Sequence, residues 1–130
     1  MSRDASVTFT WAGDERTFRL AIKEALALED RRDCGLAEIA GRLSSARWRI
    51  DDIREPLRLG LIGAGLDAAK ARKLVEDNVV PGRLAEHVLA ARAVLMASLV
   101  GDPNEPVGKE EAAEETGESP PPASTEPVAS

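Results

Sequence analysis

The chemistry this chain could perform is limited by the residues it carries. His87 is the sole histidine and Cys34 the sole cysteine. His87 stands beside Glu86 on what reads as the polar side of a helix, where a general base is conceivable but an exposed or partly packed helix residue is the expectation. Cys34 lies in a helix-to-helix turn without a neighbouring base, as a small semi-buried side chain would. Asp51, Asp52 and Glu55 form the one tight acidic group ahead of the C-terminal segment. Their spacing matches helix capping and lacks the regular ligand pattern of a calcium loop. The glycines Gly60, Gly63 and Gly65 invite a phosphate-loop reading, but that motif sits between a strand and a helix and continues into Lys-Ser/Thr. Here they close a helical stripe, so a helix end and turn is the expectation. No catalytic residue, cofactor site or metal site is assigned.

A second constellation is basic. Arg47, Arg49, Arg54 and Arg58 cluster around Trp48, which is how a nucleic-acid surface begins. Asp51, Asp52 and Glu55 interrupt it, and the charge balance disfavours it further. From Gly101 onward eight acids (Asp102, Glu105, Glu110, Glu111, Glu114, Glu115, Glu118, Glu126) face one base, Lys109. That is a net of −7, so the first hundred residues hold +1 of the chain's −6. Duplex-binding domains carry a larger positive excess. Arginine and tryptophan together suit a protein-contact surface better.

The elements that position these residues follow from periodicity. Residues 6–11 (SVTFTW) alternate, with Val7, Phe9 and Trp11 on one face. Residues 12–15 supply a turn, and Phe18 and Leu20 resume the alternation, giving a β-hairpin. Beyond Leu20 the period becomes helical. Ile22, Ala25, Leu26 and Glu29 mark a first helix, with Gly35 as its expected left-handed cap. Leu36, Ile39, Ala40 and Leu43 mark a second. Asp51 or Asp52 starts a third, with Ile53, Leu57 and Leu61 on one face and Pro56 expected in its first turn. Asp67 caps a fourth, containing Ala71, Leu74 and Val75. A fifth spans about residues 84–99, with Val88, Ala91, Leu95 and Leu99 in one stripe. Only four aromatics are present, so aliphatic side chains and alanine fill the core.

The expected fold is therefore mainly α with an N-terminal β-hairpin, an α+β class. One small helical domain over residues 1–100 precedes an acidic, proline-rich tail over 101–130, read as disordered. No apolar run approaches the roughly 20 residues of a membrane span, and the N-terminus lacks a signal-peptide core. A cytoplasmic location is expected.

With these motifs in place, residues 48–66 (WRIDDIREPLRLGLIGAGL) resemble the gene-transfer-agent tail protein family, which shares an "R-L-G-L-I-G-x-G" stretch, a short hairpin start and an alanine-rich helical middle. The similarity extends over about residues 5–100. It implies no catalysis and two roles. One is a tail assembly chaperone that binds the tape-measure protein, with the major tail tube protein as a further partner. The other is a structural tail tube component. A tube needs strands that close without free edges, and one short hairpin is little to build it from, so the chaperone is the first expectation. The tube component is the alternative, and a small DNA-binding regulator the second. Neither membrane nor nucleic acid is an expected partner, while self-association is compatible with either tail role. The expected contact surface comprises Trp48, Arg49, Arg54 and Arg58, with Leu89, Val94 and Met96 of the last helix.

Overall fold

The structure is a computed structural model, and it describes residues 4–102. Strands β1 (Ser6–Trp11) and β2 (Asp14–Arg19) pair antiparallel, Ser6 opposite Arg19 and Trp11 opposite Asp14. Ala12 and Gly13, both at positive φ (55° and 85°), form the two-residue loop. Positive φ at both centres is the type I′ pattern that matches strand twist. Five α-helices follow: α1 (Ile22–Arg32), α2 (Leu36–Ser44), α3 (Ile50–Gly63), α4 (Ala68–Asn78) and α5 (Val88–Val100), with a 3-10 turn at Ala85–His87 before the last. The expectation of an N-terminal hairpin followed by helices is met. The acidic segment beyond Asp102 lies outside the described residues.

Helix α3 is the hub, packing against β2, α1, α2, α4 and α5. Its Ile53 and Leu57 are wholly buried and meet a core that includes Phe18, Leu28, Ile39, Val75 and Leu95. Close approach at its C-terminal half depends on glycine. A methyl group on Gly60 would stand 3.0 Å from Val94 Cγ1 and 3.1 Å from Phe18 Cβ. On Gly63 it would stand 1.9 Å from the Arg19 carbonyl oxygen. The helix thus rests its bare backbone on the end of β2. Gly65, at φ 109°, makes the turn into α4.

Several local expectations differ from the structure, the first being the start of α3, which is capped at Arg49 with Asp52 at its third position and not at Asp51 or Asp52. On α1 the buried residues are Ala25 and Leu28, while Ile22 and Leu26 face solvent. The left-handed cap of α1 is Asp33 (φ 58°), a residue type that tolerates this region, and Gly35 instead precedes α2 in extended conformation. Pro56 lies buried in the interior of α3, because that helix begins at Ile50. Its missing N–H leaves the Asp52 carbonyl without the usual helical donor. His87 is buried rather than on a polar face. The Asp67 cap is as expected, its carboxylate accepting from the Lys70 N–H.

Candidate functional site

Two ion-pair clusters absorb the acidic group that looked chemically suggestive, Asp51, Asp52 and Glu55. Asp52 is completely buried. Its Oδ1 accepts from Arg32 Nε at 2.9 Å and Arg42 Nη1 at 3.3 Å, and its Oδ2 accepts from the Arg49 backbone N–H at 2.7 Å. One carboxylate therefore ties the last turns of α1 and α2 to the start of α3. Buried charge is tolerable only when paired this fully. Cys34 lies nearby; burial pushes its thiol pKa up, a direction that opposes thiolate chemistry.

One turn further along α3, Glu55 takes Arg31 Nε and Arg58 Nη2, each at 2.6 Å. Burial alone would raise the Glu55 pKa, but the Arg58 hydrogen bonds and the charges of Arg58 and Arg31 outweigh it and hold the carboxyl below its ordinary value. The same contact raises the pKa of Arg58.

The residues expected to form a contact surface are distributed as follows. Arg54 gives both Nε and Nη2 to the Val79 carbonyl oxygen, at 3.0 and 2.7 Å, clamping α3 to the end of α4. Arg58 is held by Glu55. Val94 is wholly buried against Gly60, because α5 turns that side of its stripe onto α3. Trp48 and Met96 are half-buried against the core. Arg49 and Leu89 are the exposed members, and Leu89 is 78% exposed. Of the four arginines that read as a patch in one dimension, Arg54 and Arg58 are internal braces, while Arg47 and Arg49 are exposed.

His87 belongs to a third arrangement that periodicity did not reveal. Its Nδ1 receives the Trp11 indole N–H at 3.0 Å, and its Nε2 stands 3.0 Å from the Asn78 carbonyl oxygen. Both ring nitrogens are occupied by structural partners. Two shallow depressions of about 290 and 310 Å³ lie side by side where α4 meets β2, sharing Arg16 and Leu66. Neither is lined by His87 or Cys34. Among the described residues no cluster of three His, Cys, Asp or Glu is placed to hold a metal, and no helix is long and apolar enough to cross a membrane.

The described residues thus form a small α+β domain in which Asp52, Glu55, Arg54 and Arg58 are held by partners within the fold. Residues 4–101 match the family described as "Phage tail tube protein, GTA-gp10", and the chain belongs to that family. No curated protein and no solved structure matches it. The match covers nearly all of the described fold, including the glycine-bearing segment of α3 that carried the resemblance.

Proposed function

We propose that the chain is a structural component of the tail tube of a phage-like particle of the gene-transfer-agent kind, acting through contact with other tail proteins. The observation that carries this reading is the family match, whose description names the tube and whose span covers nearly all the described residues. That description favours the tube over the assembly chaperone that strand counting had placed first. It names a tail component rather than a reaction. In this reading the product is made in the cytoplasm and ends in the particle.

The chaperone remains a second reading on one specific ground. Two six-residue strands cannot line a lumen by themselves, whereas exposed Ile22, Leu26 and Leu89 on helical surfaces are suited to holding another helix, such as that of a tape-measure protein.

Copy number decides between them. Quantitative mass spectrometry of purified particles is expected to find the chain in a fixed, multi-copy ratio to other tail proteins. Its absence from finished particles, together with its recovery on the tape-measure protein in unassembled lysate, would replace the tube reading with the chaperone.

A further inference from the structure

The two strands of the hairpin treat their outer edges differently. In an antiparallel pair closed by a two-residue loop, hydrogen-bonded and non-bonded pairs alternate outward from the loop. Trp11–Asp14, Phe9–Arg16 and Val7–Phe18 are then the bonded pairs. The N–H and C=O groups of Thr8 and Thr10 consequently point away from β2, and those of Glu15 and Thr17 point away from β1. Among the described residues none of these backbone groups has a partner.

Edge strands of this kind are normally guarded by charge, proline or a bulge. The β2 edge is guarded: its sequence, DERTFR, places Asp14, Glu15, Arg16 and Arg19 along six residues. The β1 edge is not: SVTFTW has no charge, proline or glycine, and it pairs in unbroken register. The inner face of β1 is also incompletely covered. Phe18 on β2 is wholly buried, but Val7 and Phe9 on β1 are only half-buried, although Phe9 stacks on Phe18 at a centroid distance of 4.8 Å. The apolar side of the sheet runs past the edge of the core on the β1 side.

We propose that, in the free chain, β1 pairs antiparallel with β1 of a second copy, joining two hairpins into one four-stranded sheet across a two-fold axis. The occupant is argued from self-complementarity. With Thr8 on the axis, Thr8 pairs with its equivalent, and Val7 of each copy faces Phe9 of the other on the same side of the sheet. Threonines fall opposite hydroxyl-bearing residues on the other side. Such like-with-like aliphatic–aromatic and hydroxyl pairs stabilise antiparallel neighbours. The contact is isologous and therefore closed. The charged β2 strands form the two new edges, so growth stops at two copies. This pairing goes beyond the proposed role and holds whichever part the chain plays in a particle.

The full-length chain tests it by two measurements. Light scattering is expected to give the mass of a dimer. Amide exchange is expected to show Thr8 and Thr10 slowed by about a hundredfold or more relative to an open chain, while Glu15 and Thr17 exchange freely. Because Thr8 and Thr10 have no acceptor among the described residues of one copy, their protection reads the contact between copies. Thr8→Pro deletes an outward N–H without touching the β1–β2 ladder, and Thr10→Lys adds a guarding charge. Each is expected to yield a monomer with unchanged helical circular dichroism and rapid exchange at the remaining edge amides. A wild-type monomer with unprotected Thr8 and Thr10 would overturn the proposal, and that measurement stands even if a variant fails to fold. A dimer that survives both substitutions would overturn it too, as would edge protection that arises only when a different tail protein is added. Polymers with Glu15 and Thr17 also protected would overturn the two-copy closure.

Discussion

Trp11 and His87, 76 positions apart, meet in the core through a hydrogen bond of 3.0 Å from the indole N–H to Nδ1. The indole nitrogen can only donate, so Nδ1 must accept, and the proton resides on Nε2, which donates to the Asn78 carbonyl at 3.0 Å. The rings also sit edge to face, 5.6 Å apart. This contact fastens the loop end of the hairpin to the junction between α4 and α5. Replacing His87 with Ala strands a buried N–H and opens a cavity, and an expected loss of about 2–4 kcal/mol follows. Trp11→Phe removes the donor together with part of the ring and should cost less than the two single changes summed imply when combined with His87→Ala. Urea titrations of the double-mutant cycle check this, and strict additivity would contradict the coupling.

Asp52 is the second place where removing one atom set matters. Its carboxylate answers two guanidinium groups and one backbone N–H from inside the protein. Asp52→Asn keeps the volume but leaves Arg32 and Arg42 facing a neutral group. A loss of about 3 kcal/mol or more is expected, the usual consequence of breaking a buried pair on one side. Arg42→Met should cost less, since Arg42 is the longer, more exposed contact. Denaturant midpoints at neutral pH rank the two.

Glu55 makes stability depend on acid. Its pKa in the folded protein is held below the ordinary value of 4.5, so between those two pH values the unfolded chain binds the proton more readily. The contribution is fully present above the ordinary carboxylate value and is lost as pH falls through the folded value. Glu55→Gln should therefore flatten the decline in unfolding free energy on acidification and lower stability at neutral pH. An unchanged acid limb in urea titrations from neutral pH downward would refute the assignment.

Elements with one buried face were legible in the sequence, and tertiary choices were not. All four residues of the Leu36, Ile39, Ala40, Leu43 stripe are buried, because a short amphipathic helix has one way to face the core. On α1 two stripes compete, and neighbouring helices select Ala25 and Leu28 over Ile22 and Leu26. The arginine cluster misleads for a related reason. The acceptor for Arg54 is a backbone carbonyl 25 positions away, invisible to residue type. His87 had a detectable partner in kind, the donor-only Trp11, but nothing local links them. The expected contact residues divide along the same line: exposed Leu89 and Arg49 remain available to a partner, while Val94 is committed to the core.

The glycines of α3 show what the family-bearing segment is for. Gly60 and Gly63 were legible as glycines near a helix end, but their purpose depends on Phe18, Arg19 and Val94, which come from β2 and α5. Ala at Gly60 would press on Val94 Cγ1 and Phe18 Cβ, atoms that can yield a few tenths of an ångström. It gains helix propensity of about 1 kcal/mol against overpacking of about 1–3 kcal/mol, for a small net loss. Ala at Gly63 would collide with a backbone oxygen at 1.9 Å, which a rotamer change cannot relieve. The helix end must move off β2, dragging the Phe18 contact with it. Gly63→Ala is thus expected to be the more damaging of the two by about 1 kcal/mol or more, read as the difference in thermal midpoint. Equal midpoints for the two variants would mean that α3 and β2 are not held in the close approach described.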